Sequence, residues 1–552
     1  MPASIVKAHT PWVLWMLAVT AVSGRIAVYN LGNYRPVSND EMELMAVAYK
    51  LATRGVLGSD LYAGFFNADQ HFMITLPLEH VFNAASFKAF GTGVAQMRWV
   101  SVLAGVALAW TVSWLAYRWY GLATAIICGL LLVAWPSNLT AAPNGLPWLG
   151  VTRAARYDIL AVTFAWLAIG LLYALLRLPH GATARAKAIA IGVGIACGLA
   201  SLAQFMGAFV FPLVVVNWLW SRGRRGVTEA PLYLIAVGAA VVWLPWVVFV
   251  AQNRADWTAQ LTVFGTNRWD VFNPSFYLGN VWNEPARYQD LLRTGPAEDP
   301  GAPDSLTSQA LLAITMGPAV AYLTWRTPRT RAIGDRLLWS SLVIFSGLLL
   351  LVDQTKTPLY AIILVPSVCL AVAVLSLAVW NLRSRRVNVV VPRVVLACLG
   401  LAIAKDGIAA YQAYLAQAAQ VSQYLGVGVQ LEQAIGRGEV ILGPERWWWA
   451  LHDHHYASLR SIWWQWSADA SANKQFADWV SSPQADAIIV NDNIRDDIHA
   501  FPEALQQQFW AYVSACTTPI LDLTDASYLR IEVDRVTRPP PDLAVCGGVV
   551  KR

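Results

Sequence analysis

The feature that most constrains this chain is a succession of long apolar runs. About eleven segments carry almost no charge: 11–29, 97–117, 120–136, 158–177, 188–202, 205–220, 230–251, 308–325, 337–352, 358–381 and 393–412. A hydrocarbon core about 30 Å thick is crossed by roughly 20 residues of helix at 1.5 Å each. In lipid, only helices and closed barrels satisfy every backbone group. The runs are therefore expected to be spanning helices, and the chain a polytopic α-helical membrane protein of about eleven spans. The stretch 188–220 is too long for one span and short for two, and the polar Gln204 divides it.

Composition agrees: 57% of residues are hydrophobic and only 13% charged, against about 25% charged in an average soluble domain. A disordered or nucleic-acid-coating protein is thereby excluded. With the N-terminus placed in the cytoplasm, the inner loops (118, 177–187, 221–229, 326–336 and 382–393), together with Lys7, hold 16 of the 40 Lys and Arg but only two acids, Glu229 and Asp335. Every inner loop then obeys the positive-inside rule, and an odd number of spans leaves the tail outside. The first apolar run begins at Pro11-Trp12 and lacks a small-x-small cleavage site, so it is expected to stay as an anchor. This reading gives a multi-pass protein of the plasma (inner) membrane, divided into a transmembrane part, 1–412, and an extracytoplasmic part, 413–552.

Three outer segments have room for chemistry: 30–96, 252–307 and 413–552. In the first, helices are expected at 41–54, capped by Asn39-Asp40, and at about 70–90, with Phe72, Leu76, Val81 and Phe82 on its apolar side. Mixed polarity suits both to the membrane interface. The second combines Trp257, Trp269 and Trp282 with Arg254, Arg268, Arg287 and Arg293, then a Pro/Gly/Asp-rich stretch at 295–305. It reads as an interfacial helix followed by a mobile loop. The tail has ten basic and sixteen acidic residues, so the overall +6 hides +12 in residues 1–412 and −6 outside.

Strand-like runs at Val440–Leu442, Ala487–Val490, 519–523 and 527–533, with helices near 472–481 and 502–515, predict a small α/β domain for the tail. No Gly-rich nucleotide fingerprint follows either leading strand. Cys128, Cys197, Cys369 and Cys398 fall in expected spans as small hydrophobes. Cys516 and Cys546 fall in the tail. There they either close one disulfide, contributing about 3 kcal/mol, or stay as two buried thiols.

Three charged clusters meet at the expected outer face. Asp40-Glu41 follows the first run; Arg153, Arg156 and Asp158 precede the fourth; Asp353-Gln354-Thr355-Lys356-Thr357-Pro358 joins the ninth to the tenth. Acids beside a span are often an ordinary helix N-terminus. Acids and bases converging from distant sequence instead suit a charged lipid headgroup.

Several motifs resemble one family in their order: Asp40-Glu41, Phe87–Gly91 with Met97–Gly105, Tyr117–Gly121, Arg156-Tyr157-Asp158, and Lys356–Tyr360 with Pro366. Over about residues 10–380 the chain is similar to the GT-C glycosyltransferases. Among these it is most similar to bacterial members related to protein O-mannosyltransferases and lipid A aminoarabinose transferases. The resemblance implies a GT-C fold and inverting transfer of a hexosyl or pentosyl group from a polyprenyl-phosphate donor to an extracytoplasmic glycan, lipid or protein. On this pattern Asp40 is the base that takes the acceptor proton, and Glu41 binds the acceptor or positions Asp40. Lys356, Arg156 and Arg98 meet the leaving phosphate, with Asp158, His71 and Tyr360 in support. The pattern names no cofactor and leaves a divalent cation open. Two departures stand out: Asp69-Gln70-His71 replaces a Lys-Pro-Pro-like element, and Gln204-Phe205-Met206 stands where relatives often carry Lys.

His71 and His80 read as solvated or headgroup-facing residues. His452-Asp453-His454-His455 lacks a second cluster at zinc-type spacing. Trp447-Trp448-Trp449 and Trp463-Trp464-Gln465-Trp466 either line an acceptor groove or serve as core and docking residues; interfacial belts and sugar clefts both favour Trp. A lipid-linked-sugar flippase or transporter is the competing reading, but it predicts mid-span charge and internal repeats, and only Arg25 is placed so. A non-catalytic scaffold has no need of Asp40, Arg156 and Lys356 together.

Overall fold

The computed structural model describes residues 3–134, 152–179, 183–265, 272–292, 306–381, 390–461, 485–499 and 503–537. It is mostly helical. Helices α1 (Ala3–Val28), α2 (Asn39–Arg54), α3 (Leu78–Phe90), α4 (Val94–Tyr120) and α5 (Leu122–Ala134) are followed by α6 (Tyr157–Leu176), α7 (Ala184–Ala203), α8 (Val210–Arg222) and α9 (Ala230–Gln252). Next come α10 (Arg254–Gly265), α11 (Pro274–Leu292), α12 (Leu306–Thr330), α13 (Ile333–Val352), α14 (Val365–Trp380) and α15 (Val390–Gln420).

Among the described residues, six helical segments are long and apolar enough to cross a membrane: Val94–Tyr120, Tyr157–Leu176, Ala184–Ala203, Phe205–Val227, Ala230–Gln252 and Ile333–Val352. Leu122–Val133 and Val365–Trp380 are apolar but shorter. Length and composition thus single out six of the expected spans among the described residues, and α1, α12 and α15 are helices at other expected positions. The long apolar stretch does break at Gln204, whose extended backbone ends α7 and whose side chain accepts from the Phe205 amide. Helix α15 continues through residue 412, where the sequence placed a boundary, to Gln420.

Small residues let these helices approach closely, as membrane packing favours. A Cβ on Gly194 would stand 2.0 Å from the Ile235 carbonyl oxygen of α9, and one on Gly238 2.4 Å from that of Ile191. The chain therefore has backbone against backbone at this crossing, and an alanine at either position would force the helices apart.

In the first outer region, the cap of α2 is Ser38 rather than Asn39-Asp40. Ser38 accepts from the Glu41 amide while the Glu41 carboxylate accepts from the Ser38 amide, a reciprocal capping box. Gly55, at φ +71°, ends the helix. The second expected helix is shorter than 70–90, since α3 starts only after Pro77. The Phe72 and Met73 amides are committed elsewhere, to Leu57 O at 2.8 Å and Gln260 Oε1 at 2.9 Å. Pro77 also disfavours helical backbone at the residue before it.

The tail contains α16 (Tyr424–Ala434), β1 (Val440–Gly443), β2 (His455–Ser458), β3 (Ala487–Asn491), α17 (Asp492–Ile498), α18 (Glu503–Cys516), β4 (Thr517–Asp525) and β5 (Leu529–Val536). The five strands form one mixed sheet, order β2-β1-β3-β5-β4. The pairs β1–β2 and β1–β3 are parallel, and β3–β5 and β4–β5 antiparallel. Strand β2, in the His-rich segment, had no apolar run to announce it.

Alternation along β3 divides the packing between two faces. Ala487 and Ile489 join a core shared with Met42, Met45, Tyr62 and Phe72 of the first outer region, while Ile488 and Val490 pack with Phe509 and Tyr512 of α18. The sheet and α2 thus share one continuous core. Cys516 is disulfide-bonded, whereas Cys128, Cys197, Cys369 and Cys398 are free. Cys546, Arg268, Trp269, Arg293, the stretch 295–305, the expected helix 472–481 and Trp463–Trp466 lie outside the described residues.

Candidate active site

The capping box sets Asp40 and Glu41 side by side in the first turn of α2, yet the two carboxylates end in opposite environments. Glu41 is 1% exposed and receives the Arg98 guanidinium in a fork, Nε to Oε1 at 2.7 Å and Nη2 to Oε2 at 2.8 Å. The Ala155 amide adds a bond of 3.0 Å. Arg98 is fully buried, and its remaining donors go to the carbonyls of Leu31 and Arg35, each at 2.9 Å. Burial alone would raise the Glu41 pKa; the charge and hydrogen bonds of Arg98, with the Ala155 and Ser38 amides, hold it below the usual value. This pair ties α2 to α4 and to the start of α6. Four of the five Arg98 N–H groups are thus taken, and the side chain is fully enclosed.

Asp40 faces outward, with 53% of its side chain exposed. Its Oδ2 accepts from Arg156 Nη1 at 2.5 Å, and Arg156 Nε donates to Asp158 Oδ2 at 2.9 Å. The Arg156 amide is fixed by Ser101 Oγ at 3.2 Å. Asp158 is fully buried, so it holds the guanidinium from behind while Arg156 keeps 18% exposure. Among the described residues, Nη2 of Arg156 makes no hydrogen bond, and Asp40 Oδ1 accepts none. An exposed carboxylate oxygen and a cation with a spare donor therefore stand side by side.

Aromatic rings border this pair. The Arg156 guanidinium lies 5.7 Å from the Tyr157 ring centroid. Tyr360, in a 3₁₀ turn at Pro358–Ile363, meets Phe205 edge-on at 5.3 Å. Phe205 opens a second 3₁₀ turn, Phe205–Phe209. The segment where relatives often carry Lys thus supplies an apolar ring.

Lys356 belongs to a separate network. Its Nζ is bound to Glu284 Oε2 at 2.8 Å and to the Leu350 carbonyl at 3.0 Å, and the residue is 6% exposed. Arg287, fully buried, bonds Glu284 at 2.9 Å and Asp353 at 2.8 Å, and donates to the Thr357 carbonyl at 2.9 Å. The four charges clamp α11 to the turn after α13. Glu284 escaped the sequence reading, although its i,i+3 spacing to Arg287 was visible.

His71 is likewise occupied: Nδ1 meets Asp256 Oδ2 at 2.7 Å, while Asn67 donates to the same carboxylate at 2.9 Å. Gln260 Nε2 donates to the carbonyl of His71 at 2.7 Å. The element that departs from the family pattern thus staples the first outer region to α10. His80 is fully buried and its pKa is pushed down by burial to about 4.

Two further acids flank the site. Burial, reinforced by Asp40 and Glu445, pushes half-buried Glu43 up to about 8. Burial also pushes Glu79 up to about 8; an Asn83 hydrogen bond opposes the rise and Asp158 adds to it.

The tail closes over α2. Arg446 N donates to Asn39 Oδ1 at 3.1 Å, and Val37 N to the Tyr528 hydroxyl at 3.2 Å. Trp447 is fully buried, stacked on Tyr424 at 5.5 Å, whereas Trp448 and Trp449 pack edge-on against Tyr49 of α2. His452 stacks on Trp449 at 4.2 Å. These rings are core and docking residues. Among the described residues, no group of three or more His, Cys, Asp or Glu could hold a metal ion. Arg156 occupies the place between Asp40 and Asp158.

No protein-family model matches the sequence, and no relative among curated proteins does. Solved structures do. ArnT from Cupriavidus metallidurans, bound to undecaprenyl phosphate, superposes with a TM-score of 0.60 over 95% of this chain and 98% of its own, at 14% identity. The oligosaccharyltransferase AglB from Archaeoglobus fulgidus, in complex with an inhibitory peptide and a dolichol-phosphate, gives 0.58 over 94% and 74%, at 12% identity. The same oligosaccharyltransferase tethered to an acceptor peptide gives 0.56 at 13% identity, over 94% of this chain and 74% of that one. Both neighbours are GT-C proteins. The chain has the GT-C fold.

Proposed function

We propose that this protein is an integral membrane glycosyltransferase that moves a sugar from a polyprenyl-phosphate donor to an acceptor hydroxyl, with inversion. The observation that carries this reading is the Asp40–Arg156–Asp158 chain: an exposed carboxylate with one free oxygen, beside a cation with one free donor, held from behind by a buried acid. Lipid phosphates in the solved neighbours support the choice of donor.

In this reading Asp40 Oδ1 takes the acceptor proton as the hydroxyl attacks the anomeric carbon. The bond to the phosphate oxygen breaks on the opposite side, and Arg156 Nη2 donates to the developing phosphomonoester charge. Positioned general bases contribute about 10²–10⁴-fold. Asp158 positions Arg156, and Glu41 positions Asp40 through the capping box. Arg98 and Lys356 are assigned to the scaffold because both are buried and held by carboxylates and carbonyls. His71 is assigned to stapling for the same reason, and Tyr360 to the aromatic border. The orientation proposed is N-terminus in the cytoplasm, about eleven spans of the inner membrane, and the tail domain outside.

The test is transfer by Asp40→Asn in membranes supplied with labelled polyprenyl-phosphate sugar. Loss of transfer with retained donor binding is expected; unchanged transfer removes Asp40 as base.

A further inference from the structure

At the end of the bundle opposite Asp40, α6 stops at Leu176, α8 at Arg222, and α9 begins at Ala230. Twenty residues of α6 at 1.5 Å each separate this end from Arg156 by about 30 Å. Between these helix ends lies a cavity of about 250 Å³, its wall including Leu175, Leu178, Trp218, Pro231, Arg222 and Glu229.

The wall is apolar except for two opposite charges that fail to close on each other. The Arg222 side chain is 6% exposed and that of Glu229 30%, and Nε stands 3.9 Å from Oε2, beyond hydrogen-bond distance. Arg222 lies over the Trp218 ring at 5.1 Å. Among the described residues it makes one long hydrogen bond, Nη2 to the Leu178 carbonyl at 3.4 Å, and its enclosed Nε has no partner. Glu229 accepts no hydrogen bond from the described residues. Trp218 is itself fixed, its Nε1 donating to the Gly226 carbonyl at 2.9 Å. A guanidinium offers five N–H donors, and leaving most of them empty in an enclosed site is costly. The cavity is therefore shaped around a ligand that brings an anionic oxygen to Arg222.

That ligand must also answer Glu229. An anionic headgroup would set its phosphate against the carboxylate with nothing to compensate, and free phosphate would leave the apolar wall uncovered. A quaternary ammonium has no N–H to donate. We propose that this cavity binds the headgroup of a zwitterionic aminophospholipid, its phosphate on Arg222, its primary ammonium on Glu229, and its glycerol and first methylenes against the Leu175, Leu178 and Pro231 wall. Basic pockets between helix ends are known lipid-headgroup sites; the paired acid makes this one selective for an amine.

The test is native mass spectrometry of the full chain, titrated with phosphatidylethanolamine, phosphatidylglycerol and phosphatidylcholine of identical acyl chains. The first is expected to be retained about tenfold better than the others, as loss of a charge-assisted hydrogen bond would give. Arg222→Gln should abolish retention, and Glu229→Gln should lower phosphatidylethanolamine to the phosphatidylcholine level. Equal retention of all three lipids, preference for phosphatidylglycerol, or a preference that survives Glu229→Gln overturns the proposal. Glu229 lies outside the helices and is partly exposed, so that variant decides even if Arg222→Gln fails to fold.

Discussion

Two charged clusters, Asp40–Arg156–Asp158 and Glu284–Arg287–Asp353–Lys356, each bring acids and bases together from separate segments, and the sequence placed Asp40, Arg156, Asp158, Asp353 and Lys356 at one face. In the structure they are opposites. The second is closed, with Arg287 fully buried and the Lys356 ammonium shared between Glu284 and carbonyls. The first is open, ending in a half-exposed carboxylate and an unfilled guanidinium donor. A saturated buried network holds elements together, whereas unfilled capacity at the surface is what a substrate can use. Asp40 and Glu41 repeat the lesson within one helical turn.

The largest expected effect is at the open cluster. Asp40→Asn should lower kcat by about 10²–10⁴-fold while the melting temperature stays unchanged, since the side chain is half exposed. Next comes the closed cluster: Arg287→Ala leaves Asp353 buried without its cation and Glu284 with Lys356 alone. It should cost about 3–5 kcal/mol, read by thermal unfolding in detergent. If it instead abolished transfer at an unchanged melting temperature, the two clusters would have been assigned the wrong way round. Arg156→Lys is the sharper intermediate case. Lysine keeps the charge but cannot reach Asp40 and Asp158 together as a fork, so kcat should fall by about tenfold with donor KM nearly constant and stability preserved.

The smallest effect is on pH dependence. Glu43 and Glu79 have folded pKa values near 8, raised above about 4.3 in an unfolded chain. Their contribution to stability is complete below that unfolded value and is lost as pH rises through 8. Unfolding measured from pH 5 to 9 should show stability falling with pH, less steeply in Glu43→Gln. An unchanged slope would mean that Glu43 is ionised beside Asp40.

Part of this was legible from residue order. Ser38 with Glu41 three positions on is a capping box readable in one dimension, and it fixes where α2 begins and hence where Asp40 sits. Gln204 marked the break in the long apolar stretch because a polar amide there must find a partner, and it finds the Phe205 amide. Other features had no local signal. Strand β2 is recruited by pairing with β1, not by an apolar run. The Arg98–Glu41 fork joins residues 57 positions apart, and His71–Asp256 joins residues 185 apart. Trp447, Trp448 and Trp449 are adjacent in sequence, yet one ring is core and two meet Tyr49.

The sequence by itself determined that this chain is helical, membrane-bound and charged at particular helix ends, because run length and backbone hydrogen bonding in lipid leave few alternatives. It also singled out Asp40, Arg156 and Lys356 as a group. Only the tertiary structure decided which of these charges are satisfied. Whether a guanidinium has a donor to spare depends on which carbonyls and carboxylates from distant segments surround it, and no spacing along the chain specifies that.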